Sequence, residues 1–207
     1  MKKMIAIALT LMVVVPTLAF GQTIAVSSAT YDASLNTTPG VPFDVKVWMD
    51  TNGDDGNAAE FVMTELMSIY PTIFKLGTIK INNTTLDLGD NSLGEYLLSF
   101  GGCMPGGPQV DLVLVTYGDF GGVMLPNSDV NVTLRGFQPG DTRPSSFGGS
   151  TGFVRCDSVK FPLTVGGQDG GVTQGGTAFA DGTLMVNGSM PVVDGENDSM
   201  GSLKARF

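Results

Sequence analysis

The sequence predicts an all-β fold, an antiparallel β-sandwich of about eight or nine short strands. Three observations predict it. Glycine is abundant at 29 of 207 residues while charged residues make up only 15%, a mix that suits strands and tight turns rather than helices. Apolar and polar residues alternate with a period of two in several segments. Turn signals recur between those segments at the spacing of sandwiches and barrels.

The elements follow in order. Thr23 to Ser28 reads as a first strand, and Thr38-Pro39-Gly40 as a turn. Phe43, Val45, Val47 and Met49 alternate with Asp44, Lys46 and Trp48, the pattern of a half-buried strand. Residues 50–57 form an acidic loop. Ala58 to Tyr70 fits a strand or a helix, so a helix or irregular segment is expected near 62–72, ended by Pro71. Strands are then expected at 74–81, 93–100 and 110–116, the last apolar on both faces as in a covered central strand. Further strands fall at 130–135, 153–165 (interrupted by Pro162) and 183–186. No fixed-period repeat is visible, which argues against a solenoid or propeller.

The ends carry the targeting information. Residues 1–21 combine Lys2 and Lys3, an apolar run from Met4 to Val15, Pro16 and the small-x-small ending Ala19-Phe20-Gly21. This is the pattern of a cleaved signal peptide. The apolar run is shorter than the roughly 20 residues of a spanning helix. Cleavage after Gly21 leaves a single domain over 22–190, with a Gly-rich loop at 166–182 and a polar tail at 191–207. The expectation is a secreted protein, periplasmic or extracellular, with no stable membrane insertion. Loss of Lys2 and Lys3 takes the formal charge from −9 to −11. So acidic a chain repels phosphate backbones, which excludes nucleic acid as a natural partner.

Cys103 and Cys156 are the two cysteines. An even count in an exported chain predicts a disulfide, the alternative being two buried thiols. The bridge closes a loop of about 54 residues, worth about 4 kcal/mol by chain entropy.

Candidate chemistry is sparse. The chain has no histidine. Gly148-Gly149-Ser150-Thr151-Gly152 matches G-x-S-x-G, but without an imidazole base, and in a Ser/Gly-rich loop, the match is accidental. Two thiolates and no imidazole fall short of a zinc site. Paired carboxylates are available in type, among Asp44, Glu60, Glu65, Asp87, Glu95 and Asp111, although spacing singles out no pair. Calcium is the cofactor to consider: Asp50, Asn52, Asp54 and Asp55 lie in one short loop, as hard-cation ligands do. The loop departs from an EF-hand at its sixth and twelfth places, Asp55 and Phe61, and a solvated turn is the plainer reading. Asp194 to Asp198 offers a second such stretch. Trp48 stands opposite Phe43, Val45 and Val47, where it could be an exposed ring for glycan stacking, with Tyr70, Tyr96 and Tyr117 as further aromatics; packing under a loop is the competing reading.

Several short segments resemble a group of uncharacterised secreted bacterial β-sandwich proteins, distantly similar to cohesin and carbohydrate-binding modules. They are Pro42 to Val47, Ala58 to Phe61, Gly101-Gly102-Cys103, Val110 to Val115, Pro144 to Phe147 and Val154 to Asp157. Ser199 to Lys204 resembles the group's closing motif, with Met200 where a Trp stands. The resemblance implies a jelly-roll or immunoglobulin-like sandwich with a Cys103–Cys156 pair. It brings no established activity; cohesins themselves bind a protein partner through one sheet face.

The function expected from all this is a non-enzymatic extracellular or cell-surface module, structural or adhesive, whose partner is a protein or a glycan. One alternative is a carboxylate-based enzyme acting on polysaccharide. Another is a small outer-membrane β-barrel, suggested by the ending Leu203 to Phe207 but needing longer strands.

Overall fold

The computed structural model describes residues 21–70, 72–119, 129–166 and 182–188. The expected signal peptide (save Gly21), most of the expected Gly-rich loop, the expected polar tail and the second acidic stretch lie outside them. Two sheets face one another. The first has the order β13(Thr164–Val165), β1(Thr23–Ser28), β3(Phe43–Asp50), β8(Val110–Asp119), β5(Ile73–Lys80). The second runs β12(Lys160–Pro162), β11(Gly152–Arg155), β4(Gly56–Met63), β7(Glu95–Met104), β6(Thr84–Asp87), with β10(Leu134–Arg135) also on β4. A small third sheet, β2(Ser34–Thr37), β14(Leu184–Gly188) and β9(Asp129–Val132), adds Val130, Val132, Leu184 and Val186 to the same core. Pairing is antiparallel except for β1 with β13 and β2 with β14.

Period-two alternation explains the layers. Val45 and Val47 of β3 point inward and are fully buried, as are Phe61 of β4 and Tyr96 of β7. Phe61 stacks on Tyr96 at 5.0 Å between ring centroids, and Phe43 on Tyr117 at 5.7 Å, geometry that adds to plain area burial. With the core between the sheets and β5 and β6 as terminal strands, the described strands form an open sandwich and not a closed barrel. Among the described residues no helix is long and apolar enough to cross a membrane.

The ambiguous stretch from Ala58 to Tyr70 divides: β4 ends at Met63, and one helical turn, α1(Leu66–Ile69), follows with Glu65 as its N-cap. Both signals were real, but they belonged to successive elements. The strands β2 and β6 have four residues each, too short and polar for alternation to reveal them.

The disulfide joins Cys103 of β7 to Cys156, just after β11. These strands flank β4, whose Gly56 pairs with both Met104 and Arg155.

Candidate functional site

The apolar surface is concentrated at one edge. Among the described residues, eleven large apolar side chains are exposed, and eight lie between Met67 and Leu93. Phe74 and Ile79 project from the outer face of β5, 49% and 59% exposed. Leu76 sits in a bulge against β8, since Lys75 pairs with Tyr117 and Gly77 with Thr116. Leu86 and Leu88 follow on and after β6, and Leu93 ends the 3-10 turn Asn91–Leu93. The two terminal strands meet here: Lys80 pairs with Asp87 at 3.1 Å, and Lys75 donates to the carbonyl of Asn91. A groove of about 530 Å³, lined by Met63, Met67, Leu93, Thr133 and Arg135 among others, continues this surface. Sequence reasoning saw Phe74, Leu76 and Ile79 only as an imperfect alternation. The imperfection was the signal, because a residue unpaired at a bulge breaks the period.

β5 is guarded against pairing with a stray strand. Its bulge and Lys80 are the usual devices that blunt a sheet edge. The apolar side chains therefore offer contact through their faces rather than through strand addition.

Trp48 does stand opposite Val45 and Val47, but it is only 6% exposed. Tyr31 lies edge-on against it at 6.2 Å. The Tyr31 hydroxyl donates to Asp111 at 2.9 Å, and the Lys46 ammonium sits 4.0 Å over the Tyr31 ring and 3.2 Å from Asp111. Packing under a loop, not an open platform, describes this ring. Tyr96 and Tyr117 are fully buried core residues of different sheets, so they do not join Trp48 in a stacking surface.

The acidic loop is held by its carboxylates. Asp50 accepts from the Asn52 amide at 2.7 Å, an Asx turn that lets Asn52 adopt a positive φ of 53°. Asp54 accepts from Gln22 Nε2 at 2.6 Å, and Asp55 from the Gly106 amide at 2.9 Å. The three carboxylates Asp50, Asp54 and Asp55 thus turn to separate partners, and no group of three or more acidic or thiol side chains gathers for a metal among the described residues.

The remaining acids are likewise committed. Glu60 and Glu95 are 1% and 2% exposed, and both fall on the outer face of the second sheet, where Val62 pairs with Glu95 and Glu60 with Leu97. Glu60 accepts from Ser145 Oγ at 2.9 Å and the Ser146 amide at 3.0 Å. Glu95 accepts from the Thr142 amide at 3.1 Å and from the Thr142 hydroxyl. Together they strap residues 136–151 across the sheet, charge-assisted bonds that satisfy buried carboxylates. The G-x-S-x-G match lies in this strap and the start of β11, where Gly148 and Gly149 have positive φ; it is not a strand-to-helix elbow.

Arg135 grips the strap's first turn, donating from both guanidinium nitrogens to Asp141 at 2.6 and 2.8 Å. The hydrogen bonds from Arg135 hold the Asp141 carboxyl down at about 2, against an ordinary 3.8. The folded value lies below the unfolded one, so this grip stabilises the strap above about pH 4 and is lost as pH falls towards 2. Exchange protection of the Gln138 amide, which donates to Asp141 at 2.6 Å, is expected to fall through that window. In Asp141→Asn the fall should be absent.

The fold defines a disulfide-bonded β-sandwich module. No protein-family model and no curated protein matches the chain. Among solved structures it is similar to cohesin modules. One belongs to a family 33 glycoside hydrolase of Clostridium perfringens, at 10% identity over 82% of this chain and 99% of that one, with a TM-score of 0.47. The cohesin of a Clostridium thermocellum OlpA–dockerin complex shows 7% identity over 80% and 99%, with a TM-score of 0.49. The third ScaB cohesin of R. flavefaciens, in complex with a group 1 dockerin, shows 11% over 85% and 100%, at 0.44.

Proposed function

We propose that the protein is a secreted, non-catalytic module that docks a protein partner along the edge formed by β5, β6 and the 3-10 turn after β6. The carrying observation is the gathering of eight of the eleven exposed large apolar side chains at this edge. Exposed apolar surface of that kind, with polar residues such as Lys80 and Asp90 beside it, marks interaction sites on monomeric proteins. The absence of histidine and the engagement of Glu60, Glu65, Asp87, Glu95 and Asp111 in internal bonds favour binding over carboxylate catalysis. A protein partner is preferred to a glycan because Phe74 is the one aromatic ring among the eight exposed large apolar side chains of this edge, whereas sugars are held by aromatic faces and converging polar groups.

The test is a binding screen of the mature domain against extracellular proteins and polysaccharides. The expected result is a protein ligand whose affinity falls about tenfold or more in a Phe74→Ser/Ile79→Ser double variant, the loss typical of central apolar anchors. Binding of polysaccharide alone, or its hydrolysis, contradicts the reading.

A further inference from the structure

Beneath that edge lies a polar cluster with a different use. Strand alternation turns Lys75 inward, between buried Ile73 and the bulge at Leu76. Its side chain is only 13% exposed and forms an ion pair with Glu65, itself 6% exposed. The Lys75 amine also donates to Asn91 through that residue's main-chain carbonyl, and stands 5.9 Å over the Tyr117 ring. The side-chain carbonyl oxygen of Asn91 is buried with no hydrogen-bond partner. The hydroxyls of Tyr96 and Tyr117 are buried beside the pair, and burial, reinforced by the charge of Glu65, pushes both above the usual tyrosine range. Gly94 holds the 3-10 turn in place: it adopts a φ of 76°, and a Cβ there would come within 2.2 Å of the Met63 carbonyl.

A lone buried ion pair costs desolvation that a well-packed apolar pair avoids. Here the pair has a third member, an amide whose carbonyl nothing satisfies. We propose that Lys75 and Asn91 join in an intramolecular amide bond, with Glu65 as the proton carrier. Glu65, in ion-pair contact with the Lys75 amine, takes a proton from it. The neutral amine attacks Cγ of Asn91, forming the new C–N bond. The attacking nitrogen passes its extra proton to the original amide nitrogen, whose bond to Cγ breaks. Ammonia leaves with the proton that Glu65 held, as ammonium, and Glu65 is again a carboxylate. Nothing is oxidised or reduced, and the chain loses one positive charge. Fixed proximity of nucleophile, amide and proton carrier supplies the rate. The product ties β5 of the first sheet to the turn that feeds β7 of the second, a covalent strut across the sandwich beneath the proposed docking edge.

Peptide mapping of the folded, mature protein tests this. The expected result is a branched peptide joining Lys75 to Asn91, with the intact wild-type chain lighter by one ammonia relative to Glu65→Gln after correction for the substitution. Comparison with the variant matters because an N-terminal Gln22 can cyclise and lose ammonia in either protein. Asn91→Ala provides a second uncoupled chain should Glu65→Gln not fold. Recovery of Lys75 and Asn91 from folded wild-type protein only in separate linear peptides, including one with a succinimide at Asn91, overturns the proposal.

Discussion

Replacing Cys103 and Cys156 together by alanine is expected to lower the unfolding free energy by about 4 kcal/mol, the chain-entropy value for a loop of this length. The bridge connects β7 with the turn after β11 across a sequence separation of 53. The same end of the sandwich is also held by hydrogen bonds, among them Cys156 N to the Asp55 carbonyl at 3.1 Å and the Gly107 amide to Thr51 Oγ1 at 3.0 Å. Most of the loss acts through the unfolded chain, which becomes free to expand. The denaturation midpoint should therefore fall while the slope with denaturant rises, because more surface is exposed on unfolding. Urea titration of the double variant against the oxidised wild type reads both quantities. An unchanged midpoint contradicts this account of the bridge.

Phe61→Ala is the second large effect, expected to cost about 3–5 kcal/mol. Phe61 is fully buried at the centre of β4, stacked on Tyr96, and both rings face the first sheet. Truncation removes the ring's transfer free energy and leaves a cavity that two hydrogen-bonded sheets cannot collapse to fill. Phe74→Ala, the same chemical change at an exposed position of β5, should move stability by about 0.5 kcal/mol or less. The contrast separates core from edge, and the two midpoints measured side by side check it.

How much of this was legible in the sequence depends on the length scale of the signal. Alternation at Val45 and Val47 placed β3 and its inward face, and the apolar run from Val110 placed β8, because those patterns report burial directly. The Cys103–Cys156 bridge followed from the count of cysteines. Trp48 shows the limit. Its face was readable from the pattern, but its cover, Tyr31, comes from a loop 17 positions earlier, and alternation within a strand says nothing about what another segment lays over it. Glu60 and Glu95 were only two acids among many; their role as anchors for residues 136–151 needs the register of β4 on β7. The acidic loop looked like a cation site because Asp and Asn serve turns and cations with the same oxygens, and only geometry separates the two uses. The edge from Met67 to Leu93 was hidden by the β5 bulge and by the shortness of β6.

The docking role rests on greasy side chains that the folded chain leaves in water along one flank. Hydrogen exchange of the mature domain, with and without its protein ligand, measures that most directly. The account predicts slowed exchange confined to 73–80 and 84–93. Slowing at the acidic loop or around Tyr31 and Trp48, with none along 73–93, would contradict it.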